Sequence, residues 1–236
     1  MNAPRMGHRR LLWSIGIGLP AISALGGAWV GAGWIWDAAN ALGFVAAALM
    51  IFLHVETGAA RGRPAPQAAF HARLHANVAA LALALAALHV LALLADDPVT
   101  LEYWKLSAPP YMLAGIAALL LMSAIVATSY PKPRRILFAT ATRFRRVHGI
   151  AAFALTALVG WHIAGSALYL DTPFKQSAFV VALVGVPLWL SRRPALQRPF
   201  VDAPRREPGE ARREAFYIGA AGLLLVVVFS VLRNAL

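Results

Sequence analysis

Not one cysteine occurs in the 236 residues, and acidic side chains are scarce, 10 Asp and Glu against 22 Lys and Arg. The absence of cysteine excludes disulfides, Cys-ligated iron–sulfur clusters and the C-x-x-C-H attachment of a covalent haem, so any metal must rest on histidine or carboxylate ligands. Charge of either sign is thin, at 14% of residues, where a soluble domain carries about a quarter. No G-x-G-x-x-G opens a helix after a strand, so no dinucleotide site is read in the chain. What fills the chain instead is apolar. Hydrophobic residues make up 60%, the mean hydropathy is +0.64, and apolar runs of membrane-spanning length recur along it. The net charge of +12 does not point to nucleic acid, because the Lys and Arg sit in short patches between the apolar runs.

A span needs about 20 mainly apolar residues. Seven stretches qualify, at roughly 11–34, 38–56, 75–95, 110–130, 148–169, 176–191 and 215–233, the sixth being the shortest. The first exceeds the core of a secretory signal and is read as a span, with Gly27 and Gly31 forming a G-x-x-x-G suited to close helix packing. The expected fold is an all-α membrane bundle. It divides into a tail and first span (1–36), a membrane core (37–191), and a proline-rich polar loop with a seventh span (192–236). Alternate connections hold very different numbers of cations. The tail 1–10 and the loops 57–74, 131–147 and 191–214 carry 19 Lys and Arg, whereas the opposite side carries only Lys105, Lys175 and Arg233. The positive-inside rule then places the N-terminus in the cytoplasm and the C-terminus outside, in the plasma (inner) membrane.

Seven histidines remain: His8, His54, His71, His75, His89, His148 and His162. Spans three and five each contain a pair separated by 14 residues, 75 to 89 and 148 to 162. Fourteen helical steps turn about 1400°, some 40° short of four turns, and rise about 21 Å, so both members of a pair share a face near opposite sides of the hydrocarbon. With one span between them, the two helices run parallel. His75 therefore stands level with His148, and His89 with His162. Two levels with two imidazoles each suit bis-histidine ligation of two stacked haems between facing helices. The residues between them on those faces are Val78, Ala79, Ala82, Leu85 and Ala86 on one helix and Ala151, Ala152, Leu155, Leu158 and Val159 on the other. None is charged, and half are alanine. Zinc fits less well, since neither level offers a carboxylate or a third histidine. His71 lies one turn before His75, and His54 ends span two; both are read as neighbours of the site rather than ligands, and His8 as solvated. Arg73, Arg145 and Arg146 lie at the inner level, where haem propionates would need cations.

On these residues the chain resembles the ferric reductase-like transmembrane domain, shared by ferric reductases, NADPH oxidases and bacterial haem-bearing, quinone-linked relatives. The resemblance covers about 40–190. It implies that His75 and His148 hold an inner haem b and His89 and His162 an outer one. It also implies electron transfer through the membrane, towards the outside, from a cytoplasmic reductase or the quinone pool. Full-length ferric reductases follow span six with a flavin- and nicotinamide-binding domain. Here 24 loop residues lead into a seventh span, so the chain is expected to act as an electron-transfer component of a larger redox system, with lipid around it and a redox partner on the outer side. Cytochrome b of quinol-oxidising complexes also carries two histidine pairs at this spacing. Its pairs fall on spans two and four, however, and its Pro-Glu-Trp-Tyr motif is replaced here by the unlike "LEYW" at 101–104. A haem-free structural subunit is the reading of a different class.

Overall fold

The computed structural model describes residues 33–60, 65–168, 170–185 and 208–235. Among them the chain is helical with short connections. The order is α1 (Trp34–Ala60), α2 (Ala65–Asp96), a 3₁₀ helix (Pro98–Trp104), α3 (Pro110–Ser129), the short α4 (Pro131–Leu137), α5 (Ala141–Ser166), α6 (Pro173–Val180) running into a π-helical turn (Val181–Gly185), and α7 (Pro208–Ala235). Five of these helices are long and apolar enough to cross a membrane: α1, α2, α3, α5 and α7. They correspond to expected spans two, three, four, five and seven. The sixth is described only over its first part, as α6 and its π turn. The tail with His8 and the first span as far as residue 32, with Gly27 and Gly31, lie outside the described residues, as does most of the loop 191–214.

Proline punctuates the fold. Pro98, Pro110, Pro131, Pro173 and Pro208 each stand in the first turn of a helix, where the missing N–H has no intrahelical partner to lose and φ is already helical. Side-chain caps assist. Asp97 accepts from Val99 N (2.9 Å), Thr140 from Arg143 N (3.1 Å) and Thr172 from Lys175 N (3.3 Å). Several helices overrun the expected spans. The "loop" 57–74 is helical to Ala60 and again from Ala65, 131–147 contains α4 and the first two turns of α5, and 208–214 opens α7. Hydropathy locates the hydrocarbon-length core of each helix, but nothing in an Arg- or Gln-bearing turn forces a helix to stop at the membrane surface.

α1 is the most enclosed of the spans, with half of its apolar window buried. It packs along α2 and, with α2, against α7, while α3 and α5 form a second close pair. The shared core contains Val45, Leu49, Met50, Leu74, Val78, Leu85 and Leu155. Lipid tails are as apolar as leucine, so association in a bilayer relies on close packing rather than on water exclusion. Small residues provide it: a Cβ on Gly219 or Gly222 of α7 would press on Leu81 or Val45. The large apolar side chains left outside, such as Leu91, Leu120, Ile150 and Leu224, suit a surface that faces lipid. α2 and α5, by contrast, barely approach one another through their backbones. They stand across a gap, each backed by its own partner helix.

Candidate functional site

The imidazoles of α2 and α5 meet across that gap. The ring centroids of His75 and His148 are 6.1 Å apart at 53°, and those of His89 and His162 are 6.5 Å apart at 70°. That both levels pair shows the two helices to be parallel and in register. All ten residues expected between the levels are buried or half-buried, among them Val78, Ala82, Leu85 and Leu155. An imidazole nitrogen binds a transition metal at roughly 2.0–2.1 Å and stands about 1.1 Å from its own ring centre, so two rings on either side of one metal ion lie about 6.2–6.4 Å apart. Both pairs stand close to that separation. Among the described residues no group of three or more metal-ligating side chains gathers anywhere. A two-ligand axial site such as haem iron therefore suits the donor set, and a three- or four-ligand protein cage does not.

The outer pair is fixed through its other ring nitrogens. His89 Nδ1 lies 2.7 Å from the carbonyl of Ala39 on α1, and His162 Nδ1 lies 3.0 Å from the carbonyl of Tyr111 on α3. A carbonyl only accepts, so each Nδ1 carries the proton and each Nε2 keeps its lone pair, the state a metal-binding imidazole requires. Both rings line one apolar cleft, open at its mouth, of the concave and mostly apolar kind that takes small molecules and cofactors. Its walls include Gly43, Phe44, Ala86, Gly115, Met122, Leu155 and Val159, and its outer end is edged by Trp36, Asn40, Thr100, Tyr103 and Trp104. Trp36 is one of these lining residues, and its buried indole Nε1 has no hydrogen-bond partner among the described residues. An orphaned donor at the polar rim of an apolar slot suits an acceptor such as a porphyrin carboxylate. Room between the rings, free Nε2 atoms and an unused donor at the rim together fit a haem.

The inner pair is bounded differently. Phe144, one turn before His148, stands 5.2 Å from its ring, and the Arg134 guanidinium lies over the other end of that contact, 5.0 Å from the Phe144 centroid. His148 Nδ1 makes only a long contact, 3.5 Å, with Ser129 Oγ. His54 turns elsewhere. The Thr156 hydroxyl donates to the Ala152 carbonyl (2.8 Å), so it accepts from His54 Nε2 (3.0 Å), and that nitrogen is engaged. His71 is buried with its ring edge-on to Phe70, on the same helix as His75 but in neither imidazole pair. Arg73, Arg145 and Arg146 are exposed at the ends of α2 and α5, with Arg145 Nη2 donating to Thr142 Oγ1 at 3.4 Å. Phe144 escaped sequence reasoning, although its i, i+4 relation to His148 signals a shared face. The carbonyls of Ala39 and Tyr111 had no sequence signal at all.

No curated protein and no solved structure matches the chain. A family model, the ferric reductase like transmembrane component, matches residues 42–159, half of the chain. The match takes in His75, His89 and His148 and ends three residues before His162. Transmembrane domains of this kind generally bind haem. The helices, their paired imidazoles and this match place the chain, a multi-pass membrane protein, in the ferric reductase-like transmembrane component family, whose members serve transmembrane electron transfer.

Proposed function

We propose that this protein is a di-haem b-type cytochrome that moves electrons across the membrane as one subunit of a larger redox system. The observation that carries the reading is the doubled imidazole pair, with centroids at 6.1 and 6.5 Å across a gap between two parallel helices. His75 and His148 would hold the inner haem, His89 and His162 the outer one. Bound haem supplies one-electron chemistry; the protein contributes axial ligands, burial and orientation. The ligands sit about 21 Å apart along each helix, which divides the hydrocarbon into two shorter electron-transfer steps. The apolar walls between them exclude water, and small side chains there leave room for the ring systems. Arg73, Arg145 and Arg146 would neutralise carboxylates at the inner level. At the outer level Trp36 is one of the donor-bearing side chains that line the cleft, with Tyr103 and Trp104.

The N-terminus is assigned to the cytoplasm by the distribution of cations. The inner face would receive electrons from a cytoplasmic reductase or from quinol, and the outer face would pass them to a separate redox partner. A reduced-minus-oxidised spectrum of the purified protein, with haem quantitation, tests the reading. Two haem b per chain, low-spin and six-coordinate, is the expected result. A haem-free protein would make it a structural subunit instead.

A further inference from the structure

We infer that Gly43 and Gly115 are positioning residues for the outer imidazole pair, forming two copies of one device on two helices; the inference rests on the haem reading above. In an α-helix the carbonyl of residue i accepts from the N–H of residue i+4. Gly43 follows Ala39 by four residues and Gly115 follows Tyr111 by four, so each glycine is bonded to the same carbonyl that receives a histidine Nδ1–H. Side chains on a helix lean toward its N-terminus and cover the preceding turn. Any residue but glycine at i+4 would therefore cover the carbonyl that the histidine needs. The space is already taken: a Cβ on Gly43 would stand 3.1 Å from His89 Nδ1, and one on Gly115 only 2.7 Å from His162 Nδ1. The missing side chain thus serves two ends. It bares the second lone pair of the carbonyl, and it lets the ring lie against the neighbouring helix.

The device recurs with nearly constant spacing. Ala39 and Tyr111 are 72 residues apart, Gly43 and Gly115 also 72, and His89 and His162 are 73 apart. The hairpin of α1 with α2 and the pair of α3 with α5 present the outer site with the same set: acceptor carbonyl, glycine, and histidine from the partner helix. At the inner level the contact described for His148 Nδ1 is a long one, 3.5 Å, to a side-chain hydroxyl, Ser129 Oγ. A carbonyl acceptor on Nδ1–H raises the basicity of the ligating nitrogen and stabilises the oxidised metal. The two glycines accordingly set the orientation, the proton position and the donor strength of the outer ligands.

The test uses the full chain purified from membranes, with Gly43→Ala, Gly115→Ala, and Gly209→Ala, where a Cβ meets open space. Haem per protein and a potentiometric titration are read for each. Gly115→Ala is expected to halve the haem content, retaining the inner haem. Gly43→Ala, the milder clash, is expected to keep both haems but to move one midpoint potential upward, leaving the other in place. Gly209→Ala should match the parent. Two haems with parental potentials in both of the first two variants would overturn the inference while leaving the haem reading intact. Should Gly115→Ala fail to accumulate, unchanged potentials in Gly43→Ala would overturn it alone. A parent protein without haem would overturn the reading beneath it.

Discussion

The outer pair of histidines can be separated from His54 by what each ring nitrogen does. His89 and His162 spend Nδ1 on backbone carbonyls and keep Nε2 for the gap, whereas His54 spends Nε2 on Thr156. Removing one axial imidazole leaves iron with a single protein ligand, and an apolar cleft has little else to offer it. His89→Ala is therefore expected to lower haem content from two to one, with the inner spectrum retained, and His75→Ala to remove mainly the inner haem. His71→Ala should keep both. Full haem content in either of the first two variants would show the pairing to be wrong, and loss of one haem from the third would shift the inner ligand by a turn. These histidines were legible in the sequence because two constraints fix them: helical period decides which residues share a face, and span order decides which ends are level. The carbonyls that orient them were not, since every residue has one. Gly43 and Gly115 drew no notice beside the more conspicuous Gly27 and Gly31, because a glycine's role here depends on a ring from a helix some 46 residues further on.

Helix packing explains how a gap wide enough for a cofactor persists in the bundle. α2 leans on α1 and α7, and α5 leans on α3, so neither ligand helix needs the other as its main support. α7 comes close through small residues, and Gly222 is its tightest point, where a Cβ would stand 2.8 Å from Val45 Cγ1. Gly222→Leu is expected to destabilise the protein by about 1–3 kcal/mol, the usual cost of overpacking. Because α7 carries no histidine, both haems should remain. A thermal melt followed by haem quantitation checks this, and loss of haem at unchanged thermal stability would mean that α7 shapes the site itself. The apolar centre of each described span was readable from hydropathy, since the bilayer sets its length. Helix ends were not readable in this way. Ala65–Leu74 reads as a polar lead-in but is helical, started by Pro66 near its first turn and carried by helix-forming alanines.

For the whole molecule, the two faces differ in charge, and this bears on where electrons enter and leave. The inner connections hold 19 Lys and Arg against Glu56, Asp202, Glu207, Glu210 and Glu214, and 13 of those cations lie in 131–147 and 191–214. Lys132, Arg134, Arg135, Arg143, Arg145 and Arg146 are all exposed. The proposed positive-inside orientation would account for most of that excess, but a cationic face would also speed encounter with an acidic reductase or hold anionic lipid near the inner level. The outer connection instead presents Asp97, Glu102, Tyr103 and Trp104 to solvent, beside the mouth of the cleft, with Glu102 partly neutralised by Lys105. Further along that face the Lys175 ammonium, 2.7 Å from Asp171, holds its carboxyl below the ordinary value. No phosphate-cradling glycine loop accompanies the cations, and helix-borne arginines do not by themselves position a nicotinamide for hydride transfer. The isolated protein is thus expected to show negligible oxidation of NADH or NADPH, to be reduced fully by dithionite, and to be reduced by quinol or by NADH only with an added flavoprotein. Stopped-flow spectra at the haem bands check each case. Rapid NADH-driven reduction with no flavoprotein present would place a nucleotide site within this chain and overturn its assignment as an electron-transfer subunit.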